Sequence, residues 1–354
     1  MIDERPVKGR GTGLQVQNRF LAQERGVFEE EGLDEVEHEA TPTRYIETHP
    51  RSIVNAVNSP DLPFTWSLNP YQGCEHGCSY CYARPTHEYW GYSAGLDFER
   101  VVLVKRNAPE LLEARLRARN WDAAPIVISG ATDPYQPVER KEGLTRRLLE
   151  VMNAYGQAVS IITKNALVLR DLDLLATLAQ RNLASVAISF TTQDEALRRV
   201  LEPRTSSAVL RLRAIERLSA AGVPVHAMIA PIIPALNEPE VPALLKAAAD
   251  AGARSAGYTI LRTNGAVAPI FSQWLRIHFP DRAEKVLSAT RDLHGGELHD
   301  HRTGRRMKGE GVRAQAIGRM FQVMKRRYFA DRSMPALDRG HFRPPPQDQL
   351  DLFQ

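Results

Sequence analysis

The stretch NPYQGCEHGCSYCYARPTHEYW, Asn69–Trp90, contains Cys74, Cys78 and Cys81, and the rest of the 354-residue chain has no other cysteine. An odd number of thiols crowded into one loop is not a disulfide framework. The spacing C-x3-C-x2-C lets three thiolates grip one metal centre from a single loop. A structural zinc site takes four protein ligands, and His76 or His87 would supply the fourth. That reading makes the chain a non-catalytic, zinc-stapled nucleic-acid-binding protein. A four-iron–four-sulfur cluster normally takes four cysteines. With three, one iron stays open to an external ligand. An electron-transfer cluster has no use for an open iron, whereas a cluster that binds a substrate or cofactor needs one. Tyr80, just before Cys81, adds an aromatic wall beside the site.

Working outward, Phe64–Leu68 reads as a strand that feeds directly into the loop. Downstream, PIVIS (Pro125–Ser129), AVSIIT (Ala158–Thr163), SVAISF (Ser185–Phe190), VPVHAMI (Val223–Ile229) and AGYTIL (Ala256–Leu261) are short β-branched or apolar runs. Helical patterns separate them. Leu167, Leu172, Leu175 and Leu178 share one face; Leu210, Ile215 and Leu218 lead to Gly222, and Leu244 and Leu245 to Gly252, both helix-stop glycines. Each unit takes roughly thirty residues, the size of a βαβ unit. Such alternation predicts an α/β fold with a parallel sheet and helices packed outside it. Six strands are too few for an eight-stranded barrel and enough for a partial (β/α)6 barrel, with its site at the C-terminal strand ends. The cysteine loop lies at that end. After about residue 265 three helical patterns follow, and Ile317, Phe321, Met324 and Tyr328 form a buried face in the last. The expected division is an N-terminal extension over 1–60, the barrel over 61–265, and a C-terminal helical region over 266–354, ending in the extended tail FRPPPQDQLDLFQ.

Composition is ordinary for a globular protein: 43% hydrophobic and 25% charged residues, with a net charge of +4. No apolar run would span a bilayer. The charged start MIDERPVKGRGTG has no apolar core of a secretory signal, so a cytoplasmic location is expected. A nucleic-acid partner is permitted by the charge and not established by it. The acidic segment Ala22–Ala40 follows a basic start with Arg5, Lys8 and Arg10, which suggests a partly ordered arm or one lying across the body. GRGTG (Gly9–Gly13) lacks the preceding strand a phosphate loop needs and reads as flexible arm.

The motifs NPYQGCEHGCSYCYA, ISGATDPYQPVE, IITKNALVLRDLDLL, ISFTTQD and LEPRTSS together resemble the radical S-adenosylmethionine (SAM) superfamily, in its spore photoproduct lyase-like branch. The likeness extends over about residues 50–330. It implies a partial (β/α)6 barrel and a four-iron–four-sulfur cluster on Cys74, Cys78 and Cys81. SAM would chelate the open iron through its amino and carboxylate groups. One electron, from a donor such as flavodoxin or ferredoxin, would cleave SAM to methionine and a 5′-deoxyadenosyl radical, which takes a hydrogen atom from the substrate.

Other site residues are expected at strand ends. Asp133 precedes a proline and lies in a turn; the resemblance implies that it binds the SAM ammonium, and a helix cap is the alternative. Tyr135 and Gln136 would face the same mouth. Lys164 suits the SAM carboxylate. Ser189 and Thr191 would point hydroxyls toward the ribose. Glu202 and Arg204 would contact SAM or pair with each other. His226 reads as a core histidine rather than a catalytic one, and His87 and Glu88 as mouth or surface residues. The resemblance also implies a hydrogen-donating thiol near the end of the second strand. Ser129–Asp133 contains none, so this chain is not expected to be a spore photoproduct lyase; Tyr82 and Tyr135 are the remaining candidate donors. Arg302, Arg305, Arg306, Lys308, Arg313, Arg319, Lys325, Arg326 and Arg327 form a basic segment, read as a solvated face or a nucleic-acid-binding one.

Overall fold

The computed structural model describes residues 7–21 and 42–344. The acidic segment and most of the C-terminal tail lie outside the described residues. Ten strands are present among the described residues: β1 (Arg44–Glu47), β2 (Val54–Ala56), β3 (Trp66–Leu68), β4 (Tyr71–Gln72), β5 (Val101–Val104), β6 (Ile126–Ile128), β7 (Val159–Thr163), β8 (Ala184–Ser189), β9 (Val225–Ile232) and β10 (Ser255–Ile260). The main sheet has the order β10-β9-β8-β7-β6-β3-β2. All its neighbours pair in parallel except β2, which runs antiparallel to β3. The six parallel strands are those expected from the apolar runs, and they form the partial barrel. A small second sheet, β1-β5-β4, was not foreseen. Its strands are two to four residues long, too short to show a period, and β1 lies within the segment read as an extension.

Strand alternation sorts the two faces of the main sheet. Ile126, Ile128, Val159, Ile161, Val186, Ile188, Val225, Ala227 and Ile229 join the core beneath the helices. The alternate positions carry smaller or polar groups: Ser160 Oγ meets Ser185 Oγ at 3.0 Å, and a Cβ on Gly257 would stand 2.8 Å from His226 Nε2. His226 is therefore half-buried on the inner face, where burial and Lys325 push its pKa down to about 4.

The outer helices cover the apolar face. Helix Leu144–Tyr155 buries Leu148, Leu149 and Met152, and helix Leu172–Ala179 buries Leu175 and Leu178. In helix Ala208–Ala220, Ile215 and Leu218 are buried, but Leu210 is exposed, and the buried position on that turn belongs to Arg211. Helices Val267–His278, Pro280–Leu293 and Gly311–Phe329 follow the barrel, and Ile317 and Phe321 of the last are buried as their spacing requires.

Residues 7–21 are held across the body of the protein. Arg10 donates to the Glu99 carbonyl, Leu14 O accepts from Leu96 N at 3.0 Å, and Asn18 donates to Glu88 O at 2.9 Å. GRGTG is thus neither a phosphate loop nor a free arm. A Cβ on Gly11 would stand 1.5 Å from Gly77 O, so only glycine lets this strap lie on the cysteine loop.

Candidate active site

The cysteine loop leaves β3 and β4 at the C-terminal end of the parallel sheet, where helical and strand ends of several elements grip it. Cys74 N donates to Phe98 O at 2.8 Å and Ser79 N to Leu201 O at 3.1 Å. Gly77 turns the loop with a φ of +65°, and a Cβ there would strike the Glu99 carboxylate at 2.6 Å. Arg84, fully buried, pairs with Glu99 and donates to Cys78 O at 3.0 Å, which fixes the back of the loop. The DPYQP turn after β6 clamps the other side. Gln136 accepts from Glu75 N at 2.9 Å and donates to Gly73 O at 3.2 Å, while Thr132 Oγ1 donates to Gly73 O at 2.8 Å.

All three thiols are free; Cys74 and Cys78 are buried and Cys81 is half-buried. Burial first, then the charge of Cys74, pushes the Cys81 thiol up, and Cys78 is raised by burial and Glu202. Thiols so crowded and desolvated are stable as thiolates only with compensating positive charge, which a metal centre supplies. Among the described residues no three His, Cys, Asp or Glu side chains converge closely enough to hold a single ion. Three free thiols in one loop fit a centre that takes three protein ligands and keeps a position for another. His76 stands beside Cys74 as well as its polar neighbours. His76 lies 3.4 Å from Asp133 and 3.2 Å from Asn165 Nδ2. His87 is buried beneath the loop, stacked on Tyr92 at 5.1 Å, and burial holds its pKa down at about 4.

A buried charged network stands beside Cys78. Tyr80 OH donates to Glu202, Thr191 Oγ1 lies 2.7 Å from the same carboxylate, and Arg211 donates to Glu202 and, at 3.0 Å, to Ser189 O. Burial alone would raise the Glu202 pKa, but Arg211 and Lys164 hold it at about 2. Lys164 directly follows β7, with Nζ 5.9 Å from the centre of the Tyr80 ring. Burial opposes its charge, yet Cys78 and Glu202 prevail and raise its pKa.

A parallel partial barrel with three free thiols in the loop after its first strand is one arrangement, and the family model of the radical SAM superfamily matches residues 68–248. This chain belongs to the radical SAM superfamily. It is 36% identical over 247 residues to the uncharacterized protein Rv2578c of Mycobacterium tuberculosis, covering 69% of this chain and 72% of that one. It is 30% identical over 188 residues to the uncharacterized protein MJ0683 of Methanocaldococcus jannaschii, covering 53% and 67%. Among solved structures, a spore photoproduct lyase mutant superposes with a TM-score of 0.60 at 16% identity, covering 80% of this chain and 79% of that one. A second mutant of that lyase, with bound AdoMet and dinucleoside spore photoproduct, gives 0.56 at 16% identity over 80% and 79%. The likeness at this identity is one of fold. A radical SAM enzyme is not a zinc-stapled binding module, and that alternative falls.

The structure moves several of the residues expected at the mouth. Asp133 accepts from Thr163 Oγ1 at 2.7 Å, Lys164 N at 2.7 Å and Tyr135 N at 2.9 Å, and faces His76 as well. Three hydrogen bonds thus hold its two oxygens in place, and His76 Nδ1 stands 3.4 Å from Oδ2 without a hydrogen bond. Tyr135 does not face the mouth: it is fully buried and donates to Asp171 at 3.0 Å. Gln136 is buried beside the loop, as above. Glu202 and Arg204 do not pair with each other; Arg204 donates to Gly9 O at 3.1 Å and reaches Glu75 at 3.5 Å. Glu88 is buried and paired with Arg19 of the strap. Ser189 and Thr191 do lie at the end of β8 beside the network, and Tyr82 is 48% exposed next to Cys81. Arg211 was missed. Its signal was present: an arginine four and seven residues before Ile215 and Leu218 stands on the apolar stripe, and a buried cation needs a nearby acid.

Proposed function

We propose that Cys74, Cys78 and Cys81 hold a four-iron–four-sulfur cluster whose open iron binds SAM, and that the barrel, residues 61–265, generates a radical for hydrogen abstraction from a substrate. The observation that carries this reading is the loop of three free thiols at the C-terminal strand ends, beside a lysine whose charge Cys78 and Glu202 favour. When bound and reduced, the cluster supplies the electron that cleaves SAM to methionine and a 5′-deoxyadenosyl radical. Lys164 binds the SAM carboxylate as a point charge. Tyr80 walls the site, and Glu202 and Arg211 keep that ring fixed. Ser189 and Thr191 face the ribose. Asp133 is a positioning residue, holding the Lys164 backbone, Thr163 and His76 in register. Arg204 fastens the strap to the loop through Gly9. Tyr82 remains a candidate hydrogen donor, because its ring is open to the mouth; Tyr135 is too buried for that role. A flavodoxin- or ferredoxin-type protein supplies the electron. Nucleic acid is one class of substrate this site would accept.

Iron and acid-labile sulfide analysis of anaerobically reconstituted protein tests the reading, followed by reduction with dithionite in the presence of SAM. About four irons and four sulfides per chain, with 5′-deoxyadenosine formed, is the expected result. One zinc per chain and no SAM cleavage would sink it.

A further inference from the structure

Two cations stand at the strand ends beside the cysteine loop. Lys164 follows β7, and the reading above gives it the SAM carboxylate. Arg262 follows β10 by two residues and has no such assignment. Its guanidinium carbon lies 5.4 Å from the centre of the Tyr82 ring, the residue after Cys81. Among the described residues its one hydrogen bond runs from Nη1 to Met307 Sδ at 3.8 Å, a weak acceptor. The neighbouring acid, Asp61, is already taken by Arg306 and by Gly304 N at 2.6 Å. Partial burial and the charge of Arg306 both act against Arg262 and lower its pKa.

The other inward arginines of this protein are spent. Arg84 is paired with Glu99, Arg211 with Glu202, Arg170 with Glu139 and Asp171, and Arg306 with Asp61. A half-buried guanidinium with most of its donors unused is costly unless a ligand pairs with it. A second unspent group adjoins it. Asn264 donates to Tyr82 O at 3.5 Å, while its Oδ1 is buried with no partner. Tyr82 presents a half-exposed ring against the same guanidinium.

We propose that Arg262 and Tyr82 form a site for an oxyanion of the substrate, a phosphate or carboxylate, next to the cysteine loop, with Asn264 Oδ1 beside it accepting from a hydroxyl or N–H of the same ligand. The site's existence stands on its own geometry; its role as the substrate's anchor rests on the radical SAM reading. Arginine recognises both oxyanions through paired N–H donors. The Tyr82 ring adds a flat apolar surface on which a planar portion of the same ligand would stack. Lys164 and Arg262 thus divide the labour, one cation for SAM and one for the substrate.

The test is calorimetric. Wild-type protein, R262Q and R262K, each loaded with cluster and saturated with SAM, are titrated with inorganic phosphate, acetate and thymidine 5′-monophosphate. At least one probe is expected to bind wild type and to bind R262Q about tenfold more weakly, the loss of a charged hydrogen bond. R262K, which keeps the charge but not the paired donors, is expected to fall between the two, and circular dichroism confirms that both variants fold. SAM affinity is expected to be unchanged in R262Q. Phosphate against acetate identifies the oxyanion, and the monophosphate against phosphate reports stacking on Tyr82. Equal probe affinity in R262Q and wild type, or no binding of any probe to wild type, overturns the proposal. So does a loss of SAM affinity in R262Q, which would put the guanidinium in the cofactor site. Failure of wild type to take up iron or SAM counts against the radical SAM reading instead, and titration of the unloaded protein then still decides the Arg262 site.

Discussion

Lys164 and the three cysteines have separable roles, so their removal should give different losses. Each of Cys74→Ala, Cys78→Ala and Cys81→Ala removes one of the three thiolates, and the chain has no spare. All three variants are expected to lose the brown absorbance and bound iron; full iron content in any one of them would exclude that cysteine as a ligand. Lys164→Ala leaves the thiols untouched. It should keep its iron while SAM affinity falls about tenfold, the loss of a charge-assisted contact, as measured by equilibrium binding to the loaded protein. Glu202 predicts a different quantity, stability. Glu202→Gln leaves Arg211 buried without its counter-charge, which costs about 3–5 kcal/mol in comparable pairs, read by urea denaturation. The pH dependence follows from the same pair. The folded pKa, about 2, lies below the ordinary 4.5. The ionised carboxylate's contribution is therefore complete above about pH 4.5 and is lost as pH falls through about 2. An acid-unfolding midpoint identical in wild type and Glu202→Gln would show that the pair contributes nothing.

At the scale of elements, the cysteine loop owes its shape to segments far from it in sequence. Gln136 and Thr132 arrive from the turn after β6, Arg204 N from the loop before helix Ala208–Ala220 donates to His76 O at 3.3 Å, and the strap closes over Gly77. The strap makes a prediction of its own. Gly11→Ala places a methyl against the Gly77 carbonyl, which is backbone and cannot swing aside. The strap must lift, so amide exchange and protease cleavage between residues 7 and 21 should rise, while the helices behind the barrel stay protected. Unchanged exchange in that segment would show that the loop yields instead. These contacts explain what the sequence did and did not reveal. Strands β6 to β10 were legible because their runs are three to eight residues of β-branched and apolar side chains. The cysteines were legible from their spacing. An arm lying across the body was one reading of the opposed charges, but the seat of the strap was not legible, because GRGTG carries no periodicity and its function is a close approach, which only the folded partner defines. Asp133 was found as a strand-end carboxylate, but its hydrogen bonds from Thr163, Lys164 and Tyr135 depend on how β7 lies against the turn. Tyr135 was misplaced for a related reason: an alternating pattern breaks down in a turn, so neighbouring side chains there point in directions that spacing does not fix.

Over the whole molecule, charge pairing separates solvated surface from working surface. Arg302 and Arg305 are paired with Asp300 and Glu310, Arg306 with Asp61, and Arg313 with Glu238. That half of the basic segment has its charge largely neutralised in place, which weakens a nucleic-acid-binding reading of it. Among the described residues no helix is long and apolar enough to cross a membrane. The fold shared with spore photoproduct lyase does not carry that enzyme's reaction with it, because fold alone does not fix chemistry. The resemblance implies a thiol that returns hydrogen to the substrate radical near the end of the second barrel strand. Here β6 ends at Ile128 and is followed by Ser129, Gly130, Ala131, Thr132 and Asp133. Thr132 is buried and its hydroxyl is spent on Gly73 O. An O–H bond of that kind is also too strong to give up a hydrogen atom readily. Tyr135 is locked to Asp171 behind the site, which leaves Tyr82 as the phenol near the mouth. The protein loaded with cluster and SAM, reduced, and incubated with DNA carrying spore photoproduct is therefore expected to restore no thymine pairs above a control without SAM, even when it forms 5′-deoxyadenosine. Chromatographic quantification of thymine and spore photoproduct after digestion reads the outcome. Clean repair would mean that a non-thiol donor completes the reaction, and repair that disappears in Tyr82→Phe would identify it.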